Sequence, residues 1–199
     1  EFLKRLRQYA DENDALLVFD EVQTGFFGSG KPWLWQHLGV EPDVVAFGKK
    51  TQICGLYANK RVDDVPENVF HKPSRINSTW GGSLTDMVRS KQFIEIILGE
   101  KLHENVAKQG AYLVQGLRAL AKDRGEISNV RGLGSLVAFT LKDVATRDAW
   151  IKRMRDEKLL GIQCGDRSIR FRLPFVVQKA DVDLALAKLE RCLPAKVRA

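Results

Sequence analysis

The sequence predicts an α/β protein, because short apolar runs that suit buried strands alternate with segments of helical periodicity. Residues 1–13 have the apolar spacing of an amphipathic helix, and residues 15–19 form a continuous apolar run typical of a buried parallel strand. Residues 44–47 and 56–58 are two further strand candidates, and a short helix is expected around residues 32–38. In open sheets of this class, ligands bind where such strands end, so charged residues at those positions are candidate site residues.

The second half of the sequence predicts a smaller α+β unit. Apolar residues recur at helical spacing over residues 84–122, which are interpreted as two helices with breaks expected at Gly99 and Gly110. Four further segments alternate between strand and helix: residues 135–141, 145–158, 168–173 and 180–192. We therefore expect a large domain with linking helices over residues 1–120, and a small carboxyl-terminal domain over residues 121–199.

The composition excludes several classes of protein. At 44% hydrophobic, the 199 residues can bury a core, and no apolar run reaches the roughly 18 residues of a membrane helix. The three cysteines lack the spacing of a zinc or redox site, so no metal is expected. The formal net charge is +7, but the basic residues alternate with acids along helices, which favours solvated helix faces over a nucleic-acid surface. We expect a soluble cytoplasmic protein with neither a membrane nor a nucleic-acid partner.

One Gly-rich segment has the spacing of a phosphate-binding loop. Gly25-Phe-Phe-Gly-Ser-Gly30-Lys31 follows the first predicted strand. A phosphate-binding loop needs Ser or Thr after its lysine to bind Mg²⁺, whereas Pro32 has neither a hydroxyl nor a backbone N–H. The sequence therefore argues against nucleotide binding here.

A stronger pattern spans the ends of two predicted strands. Leu17-Val-Phe-Asp-Glu-Val-Gln-Thr-Gly25 has Asp20 after the first strand, and Asp43-Val-Val-Ala-Phe-Gly-Lys49 has Lys49 after the second. Together they resemble the signature of the class III, or ω-amino, pyridoxal-phosphate-dependent aminotransferases. The resemblance implies a fold-type I transferase, of which this chain holds the second half of the large-domain sheet followed by the small domain. Taken singly, Asp20 and Glu21 are equally compatible with a helix-capping pair, and Lys49 with a surface lysine.

The resemblance gives Asp20 and Lys49 the central chemical roles. The cofactor withdraws electrons only while its pyridine nitrogen is protonated, and a buried carboxylate in the position of Asp20 keeps it so. Lys49 matches the lysine that bonds covalently to the cofactor aldehyde and then moves a proton between substrate and cofactor. Residues 46–48 fill the three places between the Asp-hydrophobic-hydrophobic opening and the lysine. This spacing favours Lys49 and leaves Lys50 as the alternative.

Three further residues match binding positions of the same family. Gln23 matches the residue that forms a hydrogen bond with the cofactor's ring oxygen. Thr79, in Ser78-Thr-Trp-Gly-Gly82, matches the threonine that reaches the cofactor phosphate of the neighbouring subunit, with a simple glycine turn as the alternative. Arg170, in Ile169-Arg-Phe-Arg-Leu-Pro174, matches the arginine that holds a substrate carboxylate, with Arg172 as the fallback and a surface strand arginine as the alternative.

The segment after Lys49 departs from the usual family pattern, which continues with a short Gly-Gly stretch. Here Lys50-Thr-Gln-Ile-Cys-Gly55 follows, and this segment with Asn77-Ser-Thr-Trp-Gly-Gly82 resembles the L-lysine 6-aminotransferases of the class. The resemblance implies transfer of the ε-amino group of L-lysine to 2-oxoglutarate, giving 2-aminoadipate 6-semialdehyde and L-glutamate. It also implies pyridoxal 5'-phosphate as cofactor and a homodimer with a shared active site.

Two alternatives stay open at this point. Another ω-aminotransferase, using ornithine, 4-aminobutyrate or a diamine, would carry the same core signature. Because Glu1 opens directly in a helical pattern, with neither an initiator methionine nor a capping signal, we expect the carboxyl-terminal part of a longer chain. Made alone, such a part would lack the upstream phosphate cradle and ring-stacking residue of the family, and would be an inactive fragment.

Overall fold

The computed structural model describes residues 1–76 and 81–193, and gives only the backbone of Arg124. The chain forms two compact units, each described here by itself: Glu1–Phe27 with Lys31–Glu100, and Gly28–Gly30 with Lys101–Ala199. The domain boundary expected at residue 120 falls inside a continuous helix and stays a prediction. Across the described ranges, no helix is long and apolar enough to cross a membrane.

The first unit is built on a three-stranded sheet. Its main elements are α1 (Phe2–Glu12), β1 (Val18–Asp20), β2 (Val44–Phe47), β3 (Gly55–Ala58) and α2 (Leu84–Gly99). Short 3-10 helices lie at Leu34–His37, Lys49–Thr51 and Lys60–Asp64. In the order β1-β2-β3, β1 and β2 are parallel while β2 and β3 are antiparallel. The central strand β2 is therefore covered best, and its Val45 is only 1% exposed.

The first strand differs from its prediction in both length and burial. The apolar run over residues 15–19 predicts a buried strand, but β1 begins only at Val18, and Val18 is 56% exposed. The physical reason is its position, because β1 pairs with β2 on one side only and forms an edge of the sheet. An apolar run shows which side chains are hydrophobic, but it does not show whether a strand pairs with other strands on one side or on both.

The second unit packs three helices against a four-stranded antiparallel sheet. Its elements are α3 (Leu102–Arg124), β4 (Ser128–Leu133), β5 (Leu136–Thr140), α4 (Val144–Asp156), β6 (Ile162–Cys164), β7 (Ser168–Arg172) and α5 (Lys179–Cys192), with strand order β4-β5-β7-β6. Side chains alternate between the two faces of the sheet. Phe139 and Ile169 are fully buried in the core, together with Trp150 of α4 and Leu189 of α5. Residues at the alternate positions, such as Arg170, therefore lie on the face away from this core.

Gly110 shows why a glycine does not always end a helix. The sequence predicts breaks at Gly99 and Gly110; α2 does end at Gly99, but α3 continues through Gly110. A Cβ atom on Gly110 would lie 1.9 Å from the backbone oxygen of Gly134, in the turn between β4 and β5. The missing side chain thus permits a close backbone approach, and the prediction of a break at Gly110 is wrong for this reason.

Candidate active site

The ends of β1 and β2 bring together the residues of the two-strand motif. Asp20 is the last residue of β1 and pairs with Ala46 of β2, three residues before Lys49. Because the two strands are parallel, both carboxyl ends lie at the same edge of the sheet. Gln23, in the turn that follows β1, belongs to the same edge. Sequence spacing alone does not give this adjacency, which depends on the register of β1 against β2.

The turn after β1 is fixed by hydrogen bonds within the motif. An oxygen of the Asp20 carboxylate accepts a bond from the Val22 backbone N–H at 2.9 Å. The Glu21 N–H donates to the Ala46 oxygen at 2.9 Å, and the Gly25 N–H donates back to the Glu21 oxygen at 2.9 Å. These bonds give the turn one shape and hold it to the end of β2. Asp20 itself is exposed here, because β1 is an edge strand, whereas the family resemblance calls for a buried carboxylate.

Glu21 binds the start of the 3-10 helix Leu34–His37, which follows the Gly-rich segment. Its side chain is buried, and the carboxylate accepts hydrogen bonds from the Leu34 N–H at 2.8 Å, the Trp35 N–H at 2.7 Å and the Thr24 hydroxyl at 3.0 Å. Capping free backbone N–H groups with a carboxylate satisfies donors that the 3-10 helix leaves unpaired. Of the possible Asp20–Glu21 capping pair, Glu21 is the residue that caps. Its role was missed, because its partners lie 13 and 14 residues away and no spacing rule links them.

The two adjacent lysines have different environments. Lys49 is exposed and has a left-handed backbone, with φ at 55°. Lys50 is half-buried, and its Nζ donates a hydrogen bond to the backbone oxygen of Gln23 at 2.7 Å. A left-handed conformation costs a non-glycine residue about 1 kcal/mol or more, and such strain is concentrated at functional sites. These differences favour Lys49 over Lys50 as the lysine with an accessible amine.

Aromatic rings pack beside β2, the strand that precedes Lys49. Trp33 lies against Phe47 and Tyr57, with ring centroids 5.8 and 5.3 Å apart, and the Trp35 indole N–H donates to the Tyr57 hydroxyl at 3.0 Å. Burial raises the pKa of the Tyr57 hydroxyl above its ordinary value, so the side chain stays neutral. A Cβ atom on Gly25 would lie 2.5 Å from the Trp33 ring, so this motif position requires glycine. This packing holds the carboxyl end of β2 in place.

The candidate substrate arginine lies in the second unit, on β7. Arg170 pairs with Ala138 of β5 and Ile162 of β6, and it is half-buried with its Nε atom out of contact with solvent. Arg172, the fallback, is two residues further along the same face and is exposed. Although Arg172 is exposed overall, neighbouring protein partly covers its guanidinium, and this partial burial, followed by the charge of Arg170, lowers the pKa of Arg172. Two cations on one sheet face form a suitable surface for a carboxylate.

A comparison with protein families identifies the chain. The family model described as Aminotransferase class-III matches residues 1–193. The chain belongs to the class-III aminotransferases. The family predicted from the motifs at the ends of β1 and β2 is therefore confirmed, as is the α/β, fold-type I class.

Several proteins named as aminotransferases are similar to this chain over almost its whole length. The L-lysine-epsilon aminotransferase of Mycobacterium tuberculosis is 46% identical over 195 residues, which are 98% of this chain and 43% of that protein. The enzyme of the same name from Streptomyces clavuligerus is 43% identical over 197 residues, again 98% of this chain and 43% of the relative. A solved structure of lysine aminotransferase from M. tuberculosis in the internal aldimine form matches with a TM-score of 0.92 and 46% identity, over 97% of this chain and 45% of that chain. This class-III aminotransferase chain thus spans less than half the length of these relatives.

Two sequence expectations for this class-III aminotransferase have different outcomes. Thr79, the expected phosphate contact, lies outside the described residues. The segment from Gly25 to Lys31 does not lead directly into a helix as a phosphate-binding loop would, since the next helix is the short 3-10 turn Leu34–His37. The Lys31 ammonium instead donates to the Gln36 backbone oxygen at 3.1 Å. The segment therefore lacks the directly following helix of a phosphate-binding loop, and the argument against nucleotide binding stays a prediction.

Asp43, the first residue of the second motif, is a buried anchor of the first unit. Its carboxylate accepts hydrogen bonds from the Leu17 N–H at 2.7 Å, the Arg7 guanidinium at 2.7 Å and the Asn59 amide at 3.2 Å. It thereby connects α1, the start of β1 and the end of β3. Burial alone would raise the pKa of Asp43, but bonds from Leu17 and Arg7 outweigh it and hold that pKa below its ordinary value.

We expect replacement of Asp43 with alanine to lower the free energy of unfolding by about 3 kcal/mol, because it leaves the Arg7 charge and the Leu17 N–H without their carboxylate. The lowered pKa also predicts a pH dependence: Asp43 stabilises the fold fully above about pH 4, and this contribution is lost as the pH falls through the folded-state pKa. Urea unfolding of wild type and Asp43→Asn between about pH 3 and 7 measures it. Asp64→Asn, at an exposed carboxylate of the same unit, is the matched control. Equal acid sensitivity of wild type and Asp43→Asn would refute the assignment.

Proposed function

We propose that the protein carrying this chain is a pyridoxal-phosphate-dependent L-lysine 6-aminotransferase. It transfers the ε-amino group of L-lysine to 2-oxoglutarate and yields 2-aminoadipate 6-semialdehyde and L-glutamate. The strongest support is the parallel pairing of β1 with β2, which sets Asp20 and Lys49 at one edge of the sheet. The 46% identity to a protein named L-lysine-epsilon aminotransferase supports lysine as the amino donor.

The residues at this edge fit pyridoxal 5'-phosphate. The cofactor needs an amine for its aldehyde, a carboxylate for its ring nitrogen and a hydrogen-bond donor for its ring oxygen. Lys49, Asp20 and Gln23 offer these three groups from two adjacent strand ends. Lys49 and Asp20 are exposed and hence accessible, whereas the Lys50 ammonium donates a hydrogen bond to the backbone oxygen of Gln23.

Each residue then has a defined task in the proposed reaction. When bound, the cofactor draws electrons from the reacting substrate carbon into its ring. The negative charge of Asp20 holds a proton on the ring nitrogen, and Gln23 donates a hydrogen bond to the ring oxygen. Lys49 would hold the cofactor covalently, and its Nζ, once free, would accept the proton released from the substrate carbon and return it to the cofactor. Arg170 offers two parallel N–H groups to the substrate carboxylate.

The proposal includes the assembly and location of the protein. We infer a homodimer with shared active sites, in which Thr79 donates to the cofactor phosphate of the other subunit. Such a shared site suits the family resemblance of residues 78–82. A cytoplasmic location completes the proposal.

We expect L-lysine to be the preferred amino donor of the purified protein. Ornithine is shorter than lysine by one methylene, and a difference of that size changes kcat/KM by about 10–200-fold in a well-fitted pocket. Measuring glutamate release from 2-oxoglutarate with lysine, ornithine, 4-aminobutyrate and a diamine tests this. The 35% identity to the 4-aminobutyrate aminotransferase of Dictyostelium discoideum makes 4-aminobutyrate an informative comparison. If ornithine or 4-aminobutyrate outpaces lysine, the protein is a different ω-aminotransferase.

A further inference from the structure

We infer that Lys50 is a positioning residue, which fixes Gln23 relative to Lys49 through its bond to the Gln23 backbone. This inference rests on the proposed function, because it assigns Lys50 a purpose toward the cofactor contacts. It goes beyond that function, since Lys50 enters the family resemblance only as the rival to Lys49 for covalent attachment.

The contact joins two segments that are 27 residues apart in the chain. The Lys50 Nζ donates to the Gln23 oxygen at 2.7 Å, which is a short, charge-assisted hydrogen bond. Lys50 belongs to the 3-10 helix Lys49–Thr51 after β2, and Gln23 belongs to the turn after β1. The sheet pairing of the two strands ends at Asp20 and Ala46. One backbone hydrogen bond follows this pairing, from the Glu21 N–H to the Ala46 oxygen. The Lys50 contact then links the two segments again at Gln23, three residues after the end of β1.

The bond acts on the parts of both segments that hold the proposed cofactor contacts. A hydrogen bond to the Gln23 carbonyl restrains the backbone from which the Gln23 side chain projects. At the other end, Lys50 is bonded directly to Lys49, whose left-handed φ of 55° must be held against its local cost. The hydrogen bond from Lys50 therefore restrains both Gln23, the proposed donor to the ring oxygen, and Lys49, the proposed site of covalent attachment. A small displacement of either would impair their alignment.

The turn between Asp20 and Gly25 has a second anchor that makes the role of Lys50 separable. The Glu21 carboxylate holds the turn to the backbone N–H groups of Leu34 and Trp35, independently of the Lys50 contact. Loss of the Lys50 bond should therefore loosen Gln23 without unfolding the turn. This distinguishes a positioning role from general stabilisation, which would affect the whole unit.

The test compares Lys50→Met, which keeps most of the unbranched side chain but removes the charged amine, with Lys50→Arg, which retains a cationic donor. Lys60→Met, at an exposed lysine of the same unit, is the matched control. In cofactor-free protein, we expect hydrogen–deuterium exchange of the 22–25 amides to rise about tenfold in Lys50→Met and to stay near wild type in Lys50→Arg and Lys60→Met. Lys50→Gln replaces Lys50→Met if the methionine variant fails to fold.

A second measurement uses pyridoxal phosphate itself. We expect Lys50→Met to keep the covalent label at Lys49, to bind the cofactor about tenfold more weakly, and to shift the pH midpoint of the cofactor absorbance band, with Lys50→Arg reversing these effects. Wild-type exchange and an unshifted band in Lys50→Met would overturn the role of Lys50, as would loss of the label because Lys50 itself carries it. A wild-type protein with no cofactor band contradicts the proposed function instead, and the role of Lys50 toward the cofactor falls with it.

Discussion

Replacing Lys49 with alanine should abolish covalent attachment of pyridoxal phosphate and lower the transamination rate by about 10²–10⁴-fold. The reason is that one amine performs two tasks, since it holds the cofactor aldehyde and later carries the substrate proton. The structure supports Lys49 because its side chain is exposed, whereas Lys50 donates to the Gln23 oxygen. Added external amines should restore part of the rate, because they can accept the proton without being attached to the chain.

The measurement is borohydride reduction of the protein with pyridoxal phosphate, followed by peptide mapping. Because Lys49 and Lys50 are adjacent, cleavage after aromatic and large aliphatic residues is preferable to trypsin, since it leaves both lysines in one peptide. Fragment ions of that peptide in tandem mass spectrometry then show which lysine carries the pyridoxyl group. Lys50→Arg, which keeps a cationic donor to Gln23, serves as the control and should retain the label. A label on Lys50 would reverse the assignment. The absence of any cofactor absorbance in the wild-type chain would favour the inactive fragment.

The sequence predicts best those elements whose periodicity is strong. Residues 145–158 and 180–192 were expected as helices and correspond to α4 (Val144–Asp156) and α5 (Lys179–Cys192). Strand β6 (Ile162–Cys164) was missed, because three residues are too few for an alternating pattern to emerge. Strand β4 (Ser128–Leu133) was missed for a different reason: it contains Gly132 and a register shift, and most of its residues are exposed. Neither strand carries a hydrophobic signal of its own, and each forms by pairing with a neighbour.

For the candidate site, the sequence predicts residue types better than it predicts their connections. Asp20 and Lys49 were predicted as site residues because strand ends can be recognised from apolar runs, and the family motif supplies the spacing. The contacts of Glu21 with Leu34 and Trp35, and of Lys50 with Gln23, involve backbone atoms, which every residue has. No side-chain pattern can therefore reveal them before the fold is known. The roles assigned to Asp20, Lys49, Gln23 and Arg170 all stay predictions, and Thr79 lies outside the described residues.

Replacing Asp20 with asparagine should separate the charge of this residue from its structural contact. The side-chain oxygen of the introduced asparagine can still accept the bond from the Val22 N–H, which is 2.9 Å from the Asp20 carboxylate, so the turn after β1 should keep its shape. The amide carries no negative charge, however, and cannot hold a proton on the cofactor's ring nitrogen. We expect the transamination rate to fall by about 10²–10⁴-fold, while borohydride still labels Lys49.

The control for this prediction is Asp14→Asn, which removes a fully exposed carboxylate from the same unit and should leave the rate unchanged. Titrating the cofactor absorbance in wild type and Asp20→Asn shows whether the ring nitrogen has lost its proton. Asp20 is exposed at a sheet edge in the described chain, so water competes with the cofactor for its charge. A carboxylate in that setting can hold a ring proton only when cofactor and surrounding protein exclude the water. If Asp20→Asn transaminates within about twofold of wild type with an unchanged titration, the charge of Asp20 has no part in catalysis, and the turn bond to Val22 is its whole role.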